Sequence, residues 1–107
     1  MMIEQESNEA VLRLWLVSRP GGCSYDEFDS FVVASCSEEL ARKCHPEGFK
    51  MDPETELGWV EGSGELVSGF HGWVEPEYVE ALKVQMVGFA SSEVSEGEIV
   101  LASFNAG

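Results

Sequence analysis

Val11-Leu12-Arg13-Leu14-Trp15-Leu16-Val17 alternates so that Leu12, Leu14 and Leu16 share one face when the segment is extended, the two-residue period of a strand. Arg19-Pro20-Gly21-Gly22 then supplies turn chemistry, and Ser30-Phe31-Val32-Val33-Ala34-Ser35 carries the β-branched and aromatic side chains of a second strand. The pair reads as an antiparallel hairpin with a long acidic loop. Ser37 stands where a helix N-cap is needed. Glu38 and Glu39 follow at the positive end of the helix dipole, and Arg42 and Lys43 lie near the other end. This pattern predicts a short helix over 38–45, ended by Pro46 and Gly48. Leu40, Ala41 and Cys44 form its inward face, and Cys36 is placed to staple against Ala41.

Beyond an acidic loop from Pro46 to Glu56, Leu57-Gly58-Trp59-Val60 and Leu66-Val67-Ser68-Gly69-Phe70 flank Gly62-Ser63-Gly64, the pattern of a second hairpin. Pro76 to Ala81 suits a single helical turn. Leu82, Val84 and Met86 alternate with their neighbours as a strand does, and Glu98 to Phe104 makes the last strand. The expected fold is α+β: a ββα unit continued by three or four short strands, mostly antiparallel, with one main helix on one face. Residues 1–9 read as a flexible polar segment, and 10–107 as one domain.

Twenty Asp and Glu against six Lys and Arg leave a formal net charge of −14 over 107 residues. Such a chain is repelled by nucleic acid and by anionic membrane surfaces, and attracted to basic proteins. The plain alternative is that the charge only keeps the chain in solution. At 44% hydrophobic residues the composition supports a packed core rather than disorder. The longest mostly apolar run, Ala10 to Val17, is too short to cross a bilayer and is broken by Arg13. Glu4, Glu6 and Glu9 stand where a signal peptide carries positive charge, so the expected location is the cytoplasm, with the three Cys reduced.

Acids recur two apart at Glu4/Glu6, Glu27/Asp29, Glu54/Glu56, Glu75/Glu77 and Glu96/Glu98. In extended chain such pairs share a face at roughly 6.6 to 6.8 Å, near the spacing of successive backbone phosphates. Mimicry of nucleic acid in a basic groove is therefore one reading, and chance pairing in solvated loops is the other. Cys23, Cys36, Cys44, His45 and His71 lack the close pairs of a zinc site. Asp52-Pro53-Glu54-Thr55-Glu56 has Leu57 and Ser63 where a calcium loop needs Gly and Glu. No metal or other cofactor is expected. Cys23 in its Gly-rich turn, with His45 or His71 as base, is the one nucleophile arrangement that can be drawn, and no hydrolase or phosphate-loop motif accompanies it. The chain is expected to bind rather than catalyse. Trp73, flanked by Gly72 and followed closely by Glu75, is a candidate half-exposed contact. A competing small-ligand or nucleotide-signal pocket would be shaped by His71, Trp73 and Tyr78.

Three segments resemble pieces of a family of small bacteriophage and prophage accessory proteins. They are Tyr25-Asp26-Glu27-Phe28-Asp29-Ser30-Phe31-Val32-Val33, Glu38-Glu39-Leu40-Ala41-Arg42-Lys43 running into His45-Pro46-Glu47-Gly48, and the terminal Leu101-Ala102-Ser103-Phe104-Asn105-Ala106-Gly107. The resemblance implies expression in a bacterial cytoplasm, where small acidic proteins often inhibit host defence systems. It implies no catalytic residues. With the charge, it leads to an expected role as an acidic inhibitor that occupies the basic site of a host protein. Asp26, Glu27, Asp29, Glu54 and Glu56 are the acids expected to make the contacts.

Overall fold

The computed structural model describes residues 12–21 and 26–105. Its main sheet has four antiparallel strands in the order β5-β1-β2-β6. These are β1 (Arg13–Ser18), β2 (Glu27–Ser35), β5 (Lys83–Phe89) and β6 (Ile99–Asn105). A two-stranded sheet pairs β3 (Lys50–Met51) with β4 (Trp59–Val60). Among the described residues, one α-helix, α1 (Glu38–Arg42), and a 3-10 helix (Pro76–Ala81) complete an α+β fold.

The two faces of the main sheet differ. In register, Val17 lies beside Phe31, Val84 and Ala102 follow on the flanking strands, and Trp15 lies beside Val33 and Ile99. This face carries the core, with Ala41 of α1, Cys44, Trp59, Trp73, Val79 and Leu82 packed onto it. The leucines that mark β1 in the sequence lie on the other face. Leu16, Val32 and Leu101 stand side by side across three strands, and Leu101 is 67% exposed. Alternation locates the strand, but with Trp15 and Val17 between the leucines both faces are apolar, so packing partners decide which one turns inward.

Ser37 is the N-cap, its hydroxyl accepting from the Leu40 N–H at 3.1 Å. The helix ends sooner than 38–45, because Cys44 bridges to Lys50 and His45 leaves to make other bonds. Ala41 and Cys44 are buried as expected, whereas Leu40 and Cys36 are exposed. The second hairpin is reduced to one bridge, Val60 to Leu66. The partner of β4 is instead the two-residue β3, too short to leave a periodic trace.

Candidate functional site

The carboxylates are unevenly distributed over the elements. None of the 20 Asp and Glu falls in β1, β5 or β6. Eight of them lie in α1, the 52–56 loop and the 3-10 helix with its preceding residue, while Glu27 and Asp29 lie in β2 and Glu93, Glu96 and Glu98 precede β6. Glu39, Glu56, Glu77 and Glu80 line one hollow with Lys43. Lys43 reaches Glu39 at 3.8 Å and Glu56 at 3.9 Å. Arg42 pairs with Glu38 at 2.7 Å and donates to the carbonyls of Val79 at 3.2 Å and Leu82 at 2.7 Å. Arg42 thereby fastens α1 to the 3-10 helix and spends its charge inside the layer, so the outward field there is left to the acids.

The 52–56 loop is ordered by Asp52. Its carboxylate accepts from the Glu54 N–H at 3.1 Å and the Thr55 hydroxyl at 2.8 Å, and its carbonyl accepts from the Glu56 N–H at 2.9 Å. Asp52 is consumed in this way, while Glu54 and Glu56 are exposed. Glu56 sits at φ +60°, a left-handed conformation that costs a non-glycine residue roughly 1 kcal/mol or more.

Asp26, Glu27 and Asp29 belong to a second group. Asp26 is exposed at φ +62°, and Glu27 lies 3.9 Å from Arg19. Asp29 accepts from the Ser30 hydroxyl at 2.9 Å. Glu27 and Asp29 lie at the start of β2, where its register on β6 shifts between Phe28 and Ser30. Glu54/Glu56 and Glu96/Glu98 lie in turns and Glu77 in the 3-10 helix, while Glu4/Glu6 falls outside the described residues. Of the five pairs, Glu27/Asp29 alone lies on a strand among the described residues. What gathers the acids is tertiary packing.

Trp73 corrects a second expectation. It is 6% exposed, edge-on to Phe31 at 5.2 Å, with the Arg19 guanidinium 5.1 Å from its ring centre. Gly72, at φ +79°, turns the chain so that the indole enters the core instead of the surface. His71, Trp73 and Tyr78 consequently do not shape one pocket: the His71 side chain is nearly covered, Trp73 is core, and Tyr78 is exposed on the 3-10 helix.

The least legible feature in the sequence is a chain of hydrogen bonds through both histidines. The Glu47 N–H donates to His45 Nδ1 at 3.0 Å, which leaves the neutral His45 proton on Nε2. That atom lies 3.0 Å from His71 Nδ1 and donates to it. His71 in turn carries its proton on Nε2, 3.0 Å from a Glu75 carboxylate oxygen. Burial, reinforced by the neighbouring His71, lowers the His45 pKa to about 3. The partners stand 26 residues apart, and no local motif links them. All four ring nitrogens are hydrogen-bonded, so the relay joins the 45–48 turn to the 71–75 segment.

Cys23 lies outside the described residues. Cys44 is buried, with its thiol pKa raised by burial, and Cys36 is exposed. Among the described residues no group of three or more His, Cys, Asp or Glu is arranged to hold a metal ion, and no helix is long and apolar enough to cross a membrane. Comparison of the chain with protein-family models, curated proteins and solved structures finds no match.

Proposed function

We propose that this chain is an acidic binding protein that engages a basic partner surface through the carboxylate-rich face built by α1, the 52–56 loop and the 3-10 helix. The carrying observation is that Glu39, Glu56, Glu77 and Glu80 converge on one hollow while β1, β5 and β6 hold no acid. A field concentrated on one layer steers and orients a basic partner, whereas the same charge spread evenly would not. If the partner's basic surface normally holds nucleic acid, occupying it blocks that use. The phage resemblance makes a bacterial host factor the natural target, with inhibition as the outcome.

The test is capture from a bacterial lysate by the immobilised chain, in parallel with the Glu56→Lys/Glu77→Lys/Glu80→Lys variant. A protein retained by the parent chain and lost by the variant is the expected result. Equal retention by both removes the proposed face.

One observation favours a second reading, a small-ligand binder. A cavity of about 410 Å³, lined by Leu40, Lys43, Cys44, Lys50 and Met51 among others, lies between α1 and β3 and falls within the usual size of ligand sites. Asp52, Pro53, Glu56 and Glu96 complete the lining, so a ligand there would combine apolar contact with charge recognition by Lys43 and Lys50.

A further inference from the structure

Asp26, Glu47, Phe70, His71, Gly72 and Phe104 line a cavity of about 300 Å³ on a different part of the molecule. Its walls combine exposed aromatic rings with carboxylates. Phe70 is 72% exposed and Phe104 47% exposed, so two aromatic rings meet water. Asp26 and Glu47 add two carboxylates, and among the described residues no Lys or Arg lines the cavity.

The floor is held rigidly. The Gly72 carbonyl accepts from the Phe28 N–H at 2.9 Å and from Arg19 Nη2 at 3.0 Å. His71 is fixed through both ring nitrogens, and Phe104 is braced edge-on by Phe28 at 4.8 Å between ring centres. Preorganised walls spare a ligand the cost of ordering them.

We propose that this cavity is a guanidinium subsite that takes an arginine side chain of the basic partner. The proposal rests on the reading of the chain as a binder of basic surfaces. A guanidinium is planar and weakly hydrated, stacks on aromatic faces and presents a fork of donors to carboxylates. An anion would be repelled by Asp26 and Glu47, and a neutral apolar group would strip water from both carboxylates without replacing it. An ammonium is more strongly hydrated and cannot stack. The chain already uses this recognition internally: Arg19 lies over Trp73 beside Glu27 and donates from Nε to the Phe28 carbonyl at 2.7 Å.

The test is an amide-resolved NMR titration of the full chain with N-acetylarginine amide and, separately, N-acetyllysine amide. Saturable shifts confined to residues 26, 47, 70–72 and 104 are expected, with the lysine compound at least about threefold weaker. Phe70→Ala removes an exposed ring, and Asp26→Asn keeps a residue that tolerates the left-handed conformation; each should weaken the arginine compound at least about fivefold. Glu93→Gln, an exposed acid in the turn before β6 and outside both groups, should change the affinity less than about twofold. Shifts that never saturate and track every carboxylate, equal affinity for lysine, or an unaltered Phe70→Ala variant would each overturn the subsite. Because the probe is one amino acid, its failure leaves salt-dependent partner capture standing. A positive titration with no capturable partner supports the cavity and instead removes the basic-partner reading.

Discussion

The four-stranded sheet and the layer packed on it are built by different means. The sheet is assembled by backbone ladders, and β1, β5 and β6 give it no negative charge, leaving Leu16, Val32 and Leu101 aligned on its open face. The layer has little regular structure. It is held by point attachments: Arg42 on the carbonyls of the 3-10 helix, Trp59 Nε1 donating to the Val74 carbonyl at 2.8 Å, and the His45–His71–Glu75 relay. The acids of α1, the 52–56 loop and the 3-10 helix are carried on the side fastened by these anchors, so their mutual repulsion is opposed by specific bonds.

The largest effect should come from removing an anchor that is also core. Trp59→Ala deletes a buried indole and its hydrogen bond, and should cost about 3 to 5 kcal/mol in urea unfolding, while Leu101→Ala on the open face should cost less than about 1 kcal/mol. Equal losses would mean that the open face is covered after all.

Next in size is the relay. His45 stays neutral in the fold down to pH about 3, whereas in the unfolded chain it takes a proton below pH about 6.5. The unfolded state therefore gains the proton first. Stability falls as pH drops from about 6.5 toward 3, by up to about 1.4 kcal/mol per pH unit from this group. Denaturation midpoints measured across that window should flatten in His45→Gln, which keeps polar atoms but cannot titrate there.

Smaller still is the stability effect of the acidic face. Glu56→Lys, Glu77→Lys and Glu80→Lys replace exposed or surface charges. Each should move unfolding free energy by no more than about 0.5 kcal/mol while changing binding strongly. A large loss of stability would make these residues structural. The mildest contrast is chemical: a thiol reagent should modify exposed Cys36 in the native protein well before buried Cys44, whose raised pKa keeps it protonated.

The elements with a period were legible in the sequence. The β1–β2 hairpin, the Ser37 cap and the strand after Leu82 followed from alternation and capping chemistry, and the 3-10 helix from Pro76. The layer was not, because its order comes from contacts between distant residues. Neither the His45–His71 bond nor the meeting of α1 with the 3-10 helix through Arg42 has a local signature. Trp73 shows the limit most clearly. Its glycine and acidic neighbours suggest exposure, yet a left-handed Gly72 carries it beneath Arg19 and against Phe31. Of the acids singled out, Glu56 joins the converging group, while Asp26 borders the separate aromatic cavity.

The most direct measurement is the affinity of a captured partner as a function of ionic strength, for the parent chain and for Glu56→Lys/Glu77→Lys/Glu80→Lys. Affinity of the parent should fall steeply between about 50 and about 500 mM salt, and the variant should bind weakly with a shallow dependence. A parent affinity indifferent to salt, or a variant that matches the parent at every concentration, would contradict recognition through the acidic layer.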